Sequence, residues 1–118
     1  MPSIFERIIA RELPADILYE DERVIALRDI APRAPVHLLV VPKTAEYVNV
    51  VDLAAADPVL LAHVVAVAKS LAAEHTGGEF RLVFNTGARA GQSVFHVHAH
   101  VLGTADGSTL NEDTLGEF

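Results

Sequence analysis

The spacing of hydrophobic and polar positions changes period several times along the chain, and each change predicts an element. Ile4, Phe5, Ile8 and Ile9 recur at helical spacing behind Ser3 and Glu6, a capping-box pair, which predicts a short amphipathic helix ended by Pro14. Two short apolar runs follow, Ile17 to Tyr19 and Val24 to Leu27, joined by the acidic stretch Glu20 to Glu22, and they read as paired strands. After the prolines of "APRAP", the run "VHLLVVP" is a third strand of β-branched and apolar residues closed by Pro42. Residues Lys43 to Ala56 read as a loop with a short helical turn.

Asp57 followed by Pro58 has the form of a helix N-cap and first helical position, and the apolar spacing carries that helix to about His75, where Gly77 and Gly78 stop it. Its apolar residues leave only a narrow polar stripe. A helix of that kind needs cover on two sides; the sheet can supply one, and a second copy of the chain is a candidate for the other. "FRLVFN" predicts a fourth strand, "TGARAGQS" a glycine-containing loop, and "VFHVHAHVL" a fifth strand. Alternation on that strand sends His96, His98 and His100 to one face and Phe95, Val97, Ala99 and Val101 to the other, against the long helix.

The composition narrows the class. The 118 residues are 51% hydrophobic and 21% charged, which suits one globular domain. No cysteine is present, so no disulfide framework or thiolate zinc site can form. Charged residues interrupt the N-terminal apolar groups, so no signal-peptide pattern appears, and the most apolar stretch is too short to span a bilayer. A soluble, cytoplasmic protein without a membrane partner is expected. The formal net charge of −7 argues against a nucleic-acid polymer as ligand but leaves room for one small anion held by backbone N–H groups and histidines.

Three of the six histidines fall within five residues, and two chemistries compete for them. Neighbouring histidines roughly 6.6 Å apart on a strand could share a metal, but the outer pair, roughly 13 Å apart, could not easily join the same ion. Alternatively, one neutral imidazole attacks phosphorus while its second nitrogen donates to a carbonyl, and the next histidine on that face serves the leaving group. The loop just upstream offers Gly87, Gly91 and the Ser93 hydroxyl to phosphate oxygens, which favours the second chemistry.

The run His96-Val97-His98-Ala99-His100-Val101-Leu102, preceded by "GQSVF", resembles the signature of the histidine triad (HIT) family, and the similarity extends over Ile4 to Gly103. The N-terminal half is most similar to the branch of histidine triad nucleotide-binding proteins. The resemblance implies an α+β, HIT-like fold: a five-stranded, mainly antiparallel sheet with one long and one short helix, the sheets of two protomers joined across a homodimer. Residues 1–103 would form the HIT domain and 104–118 an acidic tail. The implied activity is hydrolysis of purine nucleoside 5′-phosphoramidates, or related nucleoside 5′-monophosphate conjugates, through a nucleotidyl-histidine. The alternative is a nucleotide-binding regulatory or scaffold protein with weak catalysis.

By the same resemblance His98 is the nucleophile, His100 contacts the phosphate and leaving group, His96 orients His98 through its carbonyl, and His37 supports the proton network. Asn85, Gly91, Gln92 and Ser93 match phosphate-contacting positions, Asp29 the ribose-binding carboxylate, and Phe5, Ile8, Leu27 and Ile30 the apolar wall around the purine. No cofactor and no metal are expected at the chemical step. Two departures stand out: Gly103-Thr104-Ala105-Asp106 replaces a basic continuation frequent in the family, and Leu27 stands where an aromatic is frequent.

Overall fold

In the computed structural model, which describes residues 2–111, helix α1 spans Ile4–Ile9 and begins with the capping box foreseen from sequence: the Ser3 hydroxyl accepts from the Glu6 N–H and the Glu6 side chain from the Ser3 N–H. Strands β1 (Ile17–Glu20), β2 (Val24–Arg28) and β3 (Val36–Pro42) follow as an antiparallel meander. Helix α2 (Val50–Ala56) is two turns long and capped by the Asn49 side chain, more regular than the single turn predicted there. Helix α3 runs Pro58–His75 with the Asp57 side chain on the Leu60 N–H. Strands β4 (Arg81–Val83) and β5 (Ala99–Gly103) complete a five-stranded sheet of order β1-β2-β3-β5-β4 in which every pair is antiparallel.

The sheet is covered on both faces, which is why Val24 to Leu27 of β2 and Leu38 to Val41 of β3 are apolar at every position. Val24, Ala26, Leu38, Val40, Ala99 and Val101 pack with α3 residues Val64, Val67, Ala68 and Leu71. Residues of opposite parity, Ile25, Leu27, Leu39 and Val41, pack with Phe5 and Ile8 of α1. His37 shares the parity of Leu39 on β3, and Leu39 is the register partner of His100 on β5, so both histidines belong to the α1 face.

The fifth strand is shorter than its apolar alternation suggests. Continuing the register that pairs Val40 with Ala99 would set Pro42 opposite Val97. Pro42 has no N–H to offer a ladder, and the Val97 N–H instead donates to the Tyr47 carbonyl at 3.0 Å. His96 and His98 therefore precede β5. Val97 still reaches the α3 core, but Phe95 does not and stays 53% exposed. The expected fourth strand contracts likewise from Phe80–Asn85 to Arg81–Val83. Among the described residues no helix is long and apolar enough to cross a membrane. Of the acidic residues in the expected tail, Glu112, Asp113 and Glu117 lie outside the described residues, as do Leu115 and Phe118, whereas Asp106 is described and accepts from the Ser108 N–H and hydroxyl.

Candidate active site

A cavity of about 300 Å³ opens beside the N-terminal half of β5 and is lined by Asp29, Arg33, His37, Asn85, Gly91, Ser93, His98 and His100. Strand β3 supplies His37, β5 supplies His100, and the irregular chain before β5 supplies His98. The loop after β4 reaches the opposite wall through a single 3₁₀ turn, Ala88–Ala90, ended by Gly91 at φ +100°, a conformation that favours glycine.

Hydrogen bonds assign a direction to each imidazole. A carbonyl only accepts, so His98 Nδ1 carries a proton and donates it to the His96 carbonyl at 2.9 Å, leaving a lone pair on Nε2. The Arg33 N–H donates to His37 Nδ1 at 3.0 Å, so the neutral His37 ring holds its proton on Nε2, 2.9 Å from His100 Nδ1. With His37 donating, His100 Nδ1 accepts and the His100 proton sits on Nε2. The cavity thus joins a lone pair on His98 to an N–H on His100, with ring centroids 5.0 Å apart. That pairing suits a nucleophile beside a proton donor.

Burial pushes all three of these rings towards the uncharged form. His98 lies below the ordinary histidine range chiefly through desolvation, opposed by its bond to the His96 carbonyl. His100 is lowered to about 4 by desolvation and then by the nearby His98 and His37. His37 is lowered by desolvation, with Asp29 pulling the other way from 3.5 Å.

Ligand atoms of Asp29, His37 and His100 all lie within 4.8 Å of one another, close enough for one ion to draw them together. Ligation at His37 Nε2 would need its lone pair there, and hence a proton on Nδ1, where the Arg33 N–H already points. The hydrogen bonds of the trio fit a proton network better than a metal centre.

The residues singled out from sequence divide by where the fold places them. Asp29, Asn85, Gly91, Ser93, His37, His98 and His100 meet at the cavity. His96 is behind it, with its buried ring between the Pro42 carbonyl and the Ser3 hydroxyl, and Phe5 stands edge-on to both His96 and His98. Ile8 and Leu27 lie in the α1 core, and Ile30 is 88% exposed on the segment after Asp29. Gln92 is buried and does not line the cavity. Its side chain accepts from the Gly87 N–H and donates to the Val48 and Val94 carbonyls, so it holds the loop in shape. Sequence reasoning passed over Arg33, whose only signal is its place four residues before His37, and treated Ser3 as a helix cap alone.

Comparison with known proteins matches residues 2–114 to the family described as scavenger mRNA decapping enzyme C-term binding. A HIT-like protein of Synechococcus elongatus is 47% identical over 102 residues, 86% of this chain and 89% of its own. The purine nucleoside phosphoramidase of Escherichia coli is 41% identical over 103 residues, 86% of each chain. The solved structure of a HIT family hydrolase from Clostridium thermocellum superposes with a TM-score of 0.81 at 42% identity, covering 90% of this chain and 93% of that one.

Proposed function

The chain belongs to the histidine triad family, and from that premise we propose that it hydrolyses purine nucleoside 5′-phosphoramidates, or related 5′-monophosphate conjugates, to the nucleoside monophosphate. One observation carries the reading: His98 Nδ1–H is held on a backbone carbonyl while Nε2 is left with a lone pair in the cavity. The Escherichia coli phosphoramidase supports the choice of substrate class.

In the first step His98 Nε2 bonds to the phosphorus, the phosphorus–nitrogen bond breaks, and the amine leaves with the electron pair and a proton. His100 Nε2–H faces the group that carries this charge. In the second step water attacks the phosphorus of the nucleotidyl-histidine, the phosphorus–nitrogen bond breaks with its electron pair returning to His98 Nε2, and one proton of the water replaces the proton that the amine carried away. Asn85, Gly91 and Ser93 would hold the phosphoryl oxygens, where preorganised donors act most strongly on developing charge. Asp29 would take the ribose hydroxyls: one carboxylate oxygen is tied to the Ala31 N–H at 2.8 Å and the other faces the histidines. His37 would hold His100 in its Nε2–H form. Phe5 would brace the His98 ring from the core side, edge-on to it.

A homodimer is part of the same proposal. Val59, Ala62, Val65, Ala66 and Ala73 form an exposed apolar stripe on α3 opposite its core face, and β4 is an edge strand of the sheet. Small side chains let a second helix approach closely.

The test is release of AMP from adenosine 5′-phosphoramidate, with and without a chelator, by the wild type and His98→Ala. We expect turnover that survives chelation and falls at least about 10³-fold in the variant, the scale of losing a catalytic nucleophile. Turnover retained by His98→Ala would sink the proposal, and AMP binding without turnover would favour the regulatory alternative.

A further inference from the structure

The His96 carbonyl aligns His98, so whatever fixes His96 bears on the nucleophile. The His96 ring is 1% exposed and has a partner on each nitrogen. Nε2 lies 2.7 Å from the Pro42 carbonyl, which can only accept, so Nε2 carries the ring proton. Nδ1 is then a lone pair, and it lies 3.1 Å from the Ser3 hydroxyl. That hydroxyl is already an acceptor, because the Glu6 N–H of the helix cap donates to it at 3.1 Å. A serine hydroxyl has one proton to give, and His96 Nδ1 is where it goes.

We propose that Ser3 is a positioning residue for the nucleophile: its hydroxyl, fixed by the α1 cap, donates to His96 Nδ1, holds the ring against Pro42, and so sets the carbonyl that aligns His98. The inference rests on His98 acting as proposed above. It makes the N-terminal helix part of the catalytic support, with Ser3 and Phe5 touching the histidine segment from one side. The sequence motif that marks the helix start thus has a second use that capping alone does not require.

Capping and positioning are separable by substitution. Ser3→Asp keeps an excellent N-cap but offers His96 only acceptors, so Nδ1 must acquire a proton. Ser3→Gly removes the hydroxyl at little cost to the cap. Ser3→Thr keeps both hydroxyl and cap. We expect Ser3→Asp and Ser3→Gly to retain the helix, to lower kcat about tenfold through misalignment, and to leave KM within about twofold. Ser3→Thr should recover the kcat lost by the other two.

The second readout is the nitrogen-15 spectrum of the histidine rings, which needs no substrate. In the wild type His96 should show a protonated Nε2 and an unprotonated Nδ1, and in Ser3→Asp both nitrogens should appear protonated. Wild-type kcat in folded Ser3→Gly, or an unchanged His96 signature in Ser3→Asp, overturns the inference. If Ser3→Asp does not fold, Ser3→Gly decides by its kcat and by loss of the wild-type Nδ1 shift. A wild type that turns over no phosphoramidate defeats the proposed activity instead, and the ring spectra then judge the Ser3–His96 link by themselves.

Discussion

At the scale of residues, each of the four imidazoles has at least one nitrogen whose neighbour fixes where the ring proton sits, and in His98 that assignment leaves Nε2 with the lone pair. Two consequences with pH follow. Because burial lowers His98 and brings His100 to about 4, both rings stay uncharged as the solution is acidified through 6.5. The acid limb of kcat/KM should therefore lie below pH 6.5, and a limb at or above that value would contradict the assigned environment. Stability moves with the same groups. Below 6.5 an unfolded chain protonates these histidines while the folded one resists, so the unfolded state binds more protons and stability falls with pH from 6.5 towards 4. Urea denaturation at pH 7.5, 6 and 5 should give progressively lower midpoints.

The histidine cluster was legible because alternation at that density is rare on an ordinary sheet face. The division of labour within it was not. Alternation gives His96 and His98 the same orientation, whereas a proline on the neighbouring strand ends the ladder and lets one ring sink to the Pro42 carbonyl while the other faces the cavity. Gln92 shows a similar limit: its position beside Gly91 says nothing of the three hydrogen bonds that commit its side chain to the loop and its neighbours.

At the scale of elements, the helix boundaries were the most readable, since Ser3 with Glu6 and Asp57 with Pro58 are signals confined to a few neighbouring residues. Helix α2 has such a signal too, in Asn49 with Asp52 in the first turn, but its seven residues are too few to display a period. Strand ends depend on what the adjacent strand can offer, which is why β4 and β5 contracted. The junction of β5 with α3 gives a sharp prediction. A Cβ on Gly103 would stand 2.5 Å from Thr76 Cγ2 and 3.2 Å from the Glu79 carbonyl oxygen, so Gly103→Ala should destabilise the fold by about 1–3 kcal/mol through overpacking. Equilibrium denaturation measures this, and a stability unchanged from wild type would show that the helix end yields freely. At Gly91 an added Cβ would be 3.9 Å from Asn85, but φ of +100° is poorly tolerated by alanine. Gly91→Ala should therefore weaken AMP binding by distorting the loop, and calorimetry would detect the loss.

At the scale of the whole molecule, one face of α3 is covered and the other presents Val59, Ala62, Val65 and Ala66 to solvent. The sequence pattern already showed a helix apolar around most of its circumference, though a pattern cannot say which part the sheet takes. Light scattering should give twice the 12.7 kDa chain mass, and Ala66→Glu, which sets a charge in the middle of the stripe, should shift the population to the single chain. A wild type that runs as a monomer at micromolar concentration would remove the dimer from the proposal.

The hydrogen bond between Ser3 and His96 spans 93 positions, nearly the length of the chain, and this orders events during biogenesis. Helix α1 packs on Ile25, Leu27, Leu39 and Val41, all of which leave the ribosome long before residue 96. A nascent chain can therefore assemble α1 on the β1-β2-β3 meander and hold a vacant berth between the Ser3 hydroxyl and the Pro42 carbonyl. The histidine segment fills that berth only when β5 enters between β3 and β4, the step that closes the longest loops and so comes late. A chain arrested before that step would lack the strand that joins β3 to β4 as well as the ordered histidines, and it would be inert.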